Sequence, residues 1–336
     1  MSRNLNNIAI IGAGAWGTAL AHILAEAGRA VVLYVHEPEL VDSINKNHQN
    51  DLYLPDVSLN SHVRATSVLA EVMQDAGIIL LATPTQFVRN ILIKIEPHLP
   101  EGVPLVNCAK GIEMSTGRLL SEVVAEVVPE SPYAVLSGPT FAGEVVRGLP
   151  TAVTFATGAP EQEARLWAQK LSGKGFRLYL SRDPVGAEIS GAIKNVIAIA
   201  CGIVEGKGLG QNAKASVITR GMAEIRRLGV KKGAEVDTFL GLSGLGDLTL
   251  TCNSMTSRNY SLGFELGRGR KLADILAERR TVAEGVTTAK AIAAHAHALG
   301  VEMPISAAVD KILHQAAGID AVILSLLSRD MKQESR

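Results

Sequence analysis

Ile8-Ala9-Ile10-Ile11-Gly12-Ala13-Gly14-Ala15-Trp16-Gly17 decides the fold. An apolar, β-branched run leads directly into G-x-G-x-x-G, the helical pattern Thr18–Ala27 follows, and Gly28 closes it before a second β-rich run, Ala30–Val35. Strand, glycine turn, helix and strand in that order make a dinucleotide-binding βαβ unit. Gly12 permits the tight turn, Gly14 lets a pyrophosphate approach the backbone, and Gly17 lets the helix lie close to the strand. The helix start supplies unbonded N–H groups and a partial positive charge for the phosphates.

Outward from this turn the same alternation continues. Short runs at Ile78–Ala82, Val103–Cys108, Tyr133–Ser137, Ala152–Ala156 and Phe176–Leu180 are separated by helical patterns. The first of them are nearly continuous in apolar residues, as strands covered on both faces must be. The pattern predicts an α/β, Rossmann-type doubly wound parallel sheet, with every strand's C-terminal end on one edge. From about Asp183 the texture becomes Ala-, Leu- and Ile-rich helix, punctuated at Lys207–Gly210, Gly229–Gly233, Gly241–Gly246, Gly300–Pro304 and Gly318. The expected division is a dinucleotide domain at 1–187 and an all-helical substrate domain at 188–336, with a small-molecule site in the cleft between them.

Totals exclude other classes. Lys plus Arg and Asp plus Glu both number 33, so no global field draws the chain to nucleic acid or an acidic membrane. Aromatics at 4% give no base-stacking surface, while 47% hydrophobic residues suit a packed core. Cys108, Cys201 and Cys252 are odd in number and far apart, as reduced cytosolic thiols are. The first residues run straight into a strand, without the pattern of a signal peptide. The most apolar later stretch, Ile189–Val204, is interrupted by Ser190, Lys194 and Asn195 and reads as too short to span a bilayer. A cytoplasmic protein with no stable membrane insertion is expected. His295 and His297 stand two apart, so they point to different sides of a helix, and no metal site is expected.

Two positions carry competing readings. At the end of the second strand, Val35-His36-Glu37 places Glu37 where an acid would hold the adenosine ribose of NAD; it also precedes Pro38 and would favour a helix start there. Arg29 is the nearby residue that could answer a 2′-phosphate, so the NAD or NADP preference stays open. Lys194 is the single charge between Glu188 and Glu205, in a helix with Ile189, Ile193, Val196, Ile197 and Ala200 on one face and Ser190, Gly191, Ala198 and Cys201 opposite. A buried ammonium loses its proton or finds an anion. It is then either a usable acid and base or a structural lysine paired with Glu188 or Asp247.

The chain resembles the bacterial-type NAD(P)-dependent glycerol-3-phosphate dehydrogenases along nearly its whole length. The likeness runs through Gly12–Gly17, Asn107-Cys108-Ala109-Lys110-Gly111-Ile112-Glu113, Ser137-Gly138-Pro139-Thr140-Phe141-Ala142-Gly143-Glu144 and Ile193-Lys194-Asn195. It continues with Gly241-Leu242-Ser243-Gly244-Leu245-Gly246-Asp247-Leu248, Ser257-Arg258-Asn259 and Val282-Ala283-Glu284-Gly285-Val286. Related 6-phosphogluconate and 3-hydroxyacyl dehydrogenases share the architecture without this full set. The resemblance implies a helical second domain like the C-terminal domain of 6-phosphogluconate dehydrogenase, and Lys194 as the catalytic acid/base. It implies substrate contacts from Lys110, Gly138, Thr140, Lys194, Asp247, Ser257, Arg258 and Asn259. It implies NAD(P)H contacts from Gly12, Gly14, Ala15, Trp16, Gly17, His36, Lys110, Ala142, Arg258, Val282 and Glu284. The activity implied is interconversion of dihydroxyacetone phosphate and sn-glycerol 3-phosphate, which feeds phospholipid synthesis. A homodimer built on the C-terminal helices is also expected. Another hydroxy-acid dehydrogenase of this architecture would leave Arg258 without its phosphate. A non-catalytic dinucleotide sensor would need the glycine turn but neither Lys194 nor Arg258.

Overall fold

Eight strands form one sheet in the computed structural model, which describes residues 4–279, 283–331 and 333. They are β1 (Asn7–Ile11), β2 (Ala30–Tyr34), β3 (Val63–Thr66), β4 (Ile78–Leu81), β5 (Leu105–Asn107), β6 (Tyr133–Ser137), β7 (Thr151–Thr157) and β8 (Phe176–Ser181). Their order is β3-β2-β1-β4-β5-β6-β7-β8. The first six pair in parallel, Ile10 lying opposite Leu33 on one side and Leu80 on the other. The chain winds outward in both directions from β1 and β4, which opens a crevice at their C-terminal ends.

The apolar continuity of β1 has a direct cause. Ile8 and Ile10 pack beneath Leu20 and Leu24 of the helix Ala15–Glu26. Ala9 and Ile11 face Val88, Leu92 and Val123 on the other side of the sheet. Both faces are covered, so no polar alternation survives.

Two features depart from the sequence reading. β3 is an edge strand of four residues with Arg64 exposed, too short and too polar to register as an apolar run. β7 pairs antiparallel with β6, Ser137 opposite Thr154, so β7 and β8 run against the other six and not every C-terminal end shares one edge. Between β6 and β7 there is only the four-residue helix Ala142–Val145, and a parallel return needs a full crossover. The reversal brings β7 beneath the turn after β6: a Cβ on Gly138 would lie 2.9 Å from the Val153 Cα.

The helix Pro184–Gly206 serves both halves. Asp183 caps it, accepting from the Gly186 amide at 2.8 Å. Ala187 in its first turn packs on Val135 and Ala156 of the sheet. Farther along, Ile193, Ile197 and Cys201 meet Ile225, Leu228 and Leu248 on one side, while Val196, Ile199 and Ile203 meet Leu262, Leu266 and Ala289 on the other. At 23 residues, with a window of mean hydropathy 1.6, it is longer than the sequence reading allowed and long enough to cross a membrane, but that window is wholly covered by the rest of the chain. Its contact with the helix Arg258–Gly267 is backbone on backbone. A Cβ on Gly202 would sit 2.1 Å from the Tyr260 carbonyl oxygen, and one on Gly263 2.1 Å from that of Ile199. This crossing fixes the start of the Arg258 helix relative to Lys194.

Candidate active site

The glycine turn sits at the C-terminal end of β1. Gly12 has φ +117°, and a Cβ there would lie 2.9 Å from the Ala82 carbonyl carbon. A Cβ on Gly17 would collide with the Gly12 carbonyl oxygen, whereas one on Gly14 would meet nothing within 4 Å. Gly12 and Gly17 are therefore required by the protein's own packing, and Gly14 faces open space. Gly14 caps the helix Ala15–Glu26, whose first turn carries no acidic residue. The first helix bond is Thr18 N–H to the Gly14 carbonyl at 3.0 Å, so the amides of Ala15, Trp16 and Gly17 lie at the helix end with no turn above them. Ala142, at the head of its short helix, packs on the same cluster of Ala19, Leu54 and Val146 as Ala15 and Trp16. These residues fit a dinucleotide pyrophosphate.

His36 is exposed at the end of β2. Glu37 stands at the cap position of the helix Pro38–Asp42 but makes no capping bond; its Oε1 accepts from the Tyr53 hydroxyl at 2.7 Å. Arg29 is committed elsewhere, donating to the carbonyls of Lys170 (2.9 Å), Ala27 (3.2 Å) and Gln169 (3.3 Å).

Beyond β5, Asn107 shapes the turn that presents Lys110: its Oδ1 accepts from the Ala109 amide at 2.9 Å. Lys110 Nζ donates to the Gly138 carbonyl at 2.9 Å and to Asp247 Oδ2 at 2.7 Å. Thr140 donates its hydroxyl to the same Gly138 carbonyl at 3.2 Å. Lys194 Nζ donates to Asp247 Oδ1 and to Thr251 Oγ1, each at 2.7 Å. One carboxylate thus holds two ammonium groups, and Asp247 itself has no exposed surface. Asn195 donates to the Lys110 carbonyl at 3.3 Å, tying the two lysine backbones together.

Burial drives the Lys194 ammonium down from its ordinary 10.5 to about 8; Asp247 pulls it back up, and Lys110 pushes it down again. Of the two carboxylates open to Lys194 in the sequence, Asp247 is the partner. Glu188 instead accepts from the Ser121 amide at 3.0 Å and the Tyr133 hydroxyl at 2.6 Å. Thr251 escaped the sequence reading, although it lies four residues after Asp247 on the helix Asp247–Cys252 and so shares its face.

On the opposite wall, Ser257 caps the helix Arg258–Gly267, its hydroxyl accepting from the Tyr260 amide at 3.2 Å. Arg258 is the first helical residue and its side chain is exposed. Asn259 Oδ1 accepts from the Gly285 amide at 3.0 Å, so Ser257 and Asn259 both hold helix starts. Glu284 Oε1 accepts from the Thr85 amide at 3.1 Å and its hydroxyl at 3.2 Å, linking the loop after β4 to the helical half. Burial raises the Glu284 carboxyl, while the Thr85 bonds and the charges of Arg258 and Lys110 hold it down. Val282 lies outside the described residues. Lys110, Gly138, Lys194 and Asp247 are in direct contact, and the fields of Arg258 and Lys110 both reach Glu284. Two ammonium groups share the Asp247 carboxylate and the Arg258 charge reaches Glu284 nearby, an arrangement that suits an anionic ligand.

The chain is similar to known proteins along most of its length. Residues 7–163 match a family model described as NAD-dependent glycerol-3-phosphate dehydrogenase N-terminus, and residues 183–324 match the model of its C-terminus. The chain is 50% identical over 335 residues to a Parvibaculum lavamentivorans protein named glycerol-3-phosphate dehydrogenase [NAD(P)+], covering 100% of both chains. It is 52% identical over 334 residues to the Rhodospirillum rubrum protein of the same name, covering 99% of this chain and 95% of that one. The crystal structure of glycerol-3-phosphate dehydrogenase from Coxiella burnetii superimposes with a TM-score of 0.92 at 36% identity, over 96% of this chain and 99% of that one.

Proposed function

The chain belongs to the NAD-dependent glycerol-3-phosphate dehydrogenase family, and from that premise we propose how its residues divide the work. It is an NAD(P)-dependent oxidoreductase that interconverts dihydroxyacetone phosphate and sn-glycerol 3-phosphate, supplying the latter for phospholipid synthesis. Residues 1–187 bind the dinucleotide and residues 188–336 complete the substrate site. The bound nicotinamide supplies or accepts the hydride.

Lys194 is the acid/base. Protonated, it polarises the ketone and gives its proton to the developing alkoxide; neutral, it takes the alcohol proton in the reverse direction. Lys110 adds positive charge at the same oxygen or the adjacent hydroxyl. Asp247 is fully buried and spent on the two lysines, so it positions them and does not touch substrate. Thr251 completes the Lys194 donor geometry. Gly138 and Thr140 form the substrate turn, and Arg258, at a helix start capped by Ser257 and braced through Asn259, takes the phosphate with its planar donors. His36, Ala142, Val282 and Glu284 line the dinucleotide. The observation that carries this reading is the single buried carboxylate holding two lysines, one of them lowered to about 8. The molecule works as a cytoplasmic homodimer through its C-terminal helices, where Leu324 and Leu327 are exposed; sedimentation of the purified chain as a monomer would remove that part.

The test compares kcat/KM for dihydroxyacetone phosphate and for unphosphorylated dihydroxyacetone in wild type and Arg258→Ala. Arg258 is exposed before substrate arrives, so its loss belongs at the low end of the range for charge-assisted pairs, about 2 kcal/mol or roughly thirtyfold. That loss is expected with the phosphorylated substrate and not with the other. Equal losses would place Arg258 in the fold or the dinucleotide site.

A further inference from the structure

The turns after β4 and β5 lie side by side, because Leu81 at the end of one strand pairs with Asn107 at the end of the other. Gln86, in the single helical turn Thr85–Phe87, bridges them. Its Nε2 donates to the Ile112 carbonyl at 2.8 Å, and its Oε1 accepts from the Met114 amide at 2.9 Å. A side-chain amide can serve both because it carries donor and acceptor on one planar group. Neighbours of Gln86 hold the same segment. Thr85, buried, packs so closely on Gly111 that a Cβ there would lie 2.5 Å from the Thr85 Oγ1. Arg89 donates to both oxygens of Glu113, at 2.8 and 3.0 Å. Residues 111–114 are thereby fixed to the turn after β4, and Lys110 is the residue that leads into them.

We propose that Gln86 is a positioning residue for Lys110: its amide fixes the chain just beyond that lysine and so keeps the second ammonium on Asp247. The inference rests on the reading of Lys194 as the acid/base. Lys110 has a long, flexible stem, and where its Nζ falls follows from where its backbone is held. From its present position Nζ reaches the Gly138 carbonyl and Asp247 Oδ2 together. The Asn195 bond to the Lys110 carbonyl is long at 3.3 Å, so the Gln86 pair at 2.8 and 2.9 Å is the firmer hold. The consequence falls on Lys194. The ionisable groups Asp247, Lys110 and Cys252 all act on it. If Lys110 draws back, a like charge leaves and the Asp247 carboxylate is left to Lys194 alone. Both changes favour the protonated amine. A brace that only stabilised the fold would leave that balance where it is.

The experiment follows kcat/KM for dihydroxyacetone phosphate reduction against pH in the full chain, together with NADH affinity and Tm, for wild type, Gln86→Met and Gln86→Asn. Met keeps the length and the apolar stem but neither bond, and it brings no charge. Asn keeps the amide on a stem one methylene shorter and can hold only part of the clamp. In Gln86→Met the rate at pH 7 should fall on the order of tenfold, short of the roughly hundredfold that an ångström of misplacement can cost. The fall in rate that wild type shows near pH 8 should move up by about one unit, the low end of what a nearby charge can shift. Gln86→Asn should move it in the same direction and less far, and NADH should bind both variants as it binds wild type. A fall that stays at the wild-type pH in Gln86→Met would overturn the proposal, even if activity and Tm both drop; Gln86→Asn decides in the same way if the first variant does not fold. Wild type with no fall near pH 8 would overturn the Lys194 reading itself, and the proposal with it.

Discussion

Asp247→Asn removes one charge from the centre of the site and keeps its shape, so its effect on Lys194 can be worked out. Lys194 stands at about 8 against an ordinary 10.5, a difference of 2.5 units. Protonating it in the fold therefore costs roughly 3 kcal/mol more than in water. That balance already includes the upward pull of Asp247 at 2.7 Å, the chief influence opposing burial. An opposite charge at such range supports the charged form by about one to three units, so the variant's Lys194 should fall to roughly 5–7. At pH 7 the protonated fraction would drop from about nine-tenths to about one-tenth for a midpoint near 6. The assay is kcat/KM for dihydroxyacetone phosphate reduction as a function of pH, which reports groups of the free enzyme. Reduction needs protonated Lys194, so the wild-type rate should fall as pH rises through about 8. In the variant the fall should come at least one unit lower. Oxidation of glycerol 3-phosphate needs the neutral amine, and its rising limb should move down by the same amount. A midpoint that stays near 8, or moves up, would show that Asp247 does not set the lysine's charge.

Two further outcomes follow from other parts of the molecule. Gly14→Val should fold normally, since a Cβ there meets no protein atom within 4 Å, yet lose dinucleotide binding because the branched side chain fills the pyrophosphate's approach; unchanged affinity in a titration would refute the motif's role. Glu188, buried and pushed up to about 7, binds its proton more tightly in the fold than in the open chain. Its stabilising contribution is therefore full below its ordinary 4.5 and is lost as pH rises to about 7, a span of 2.5 units and up to roughly 3 kcal/mol. Glu188→Gln cannot titrate, so the Tm difference, variant minus wild type, should grow from pH 5 to pH 8. A difference that does not change with pH would sink that account.

The parts that were legible in the sequence were those whose physics is local. The glycine turn announces itself because each glycine answers a separate steric demand within six residues, and the helix around Lys194 because one charge interrupts a long apolar run. β3 was invisible because an edge strand needs little apolar surface, and Arg64 breaks its pattern. The reversal of β7 was hidden because strand direction depends on the path between strands, and the short Ala142–Val145 segment gave no sign of which way it returned. The site pairs were hidden for the same reason. Asp247 was one of two acids open to Lys194, and only the packing of separate helices selects it. Thr85 and Glu284 meet across 199 residues, and no spacing rule reaches that far. The bond from Tyr53 to Glu37 spans sixteen residues and has no counterpart in the local sequence pattern.

The central claim is that Lys194 moves the proton, and Lys194→Ala tests it most directly when turnover and dinucleotide affinity are measured on the same preparation. General acid–base catalysis contributes about 10²–10⁴-fold, so kcat for dihydroxyacetone phosphate reduction should fall by that factor. NADH should bind as in wild type, because the residues proposed to hold it lie mainly on the glycine turn. A variant that binds NADH normally and turns over within a few-fold of wild type would contradict the account.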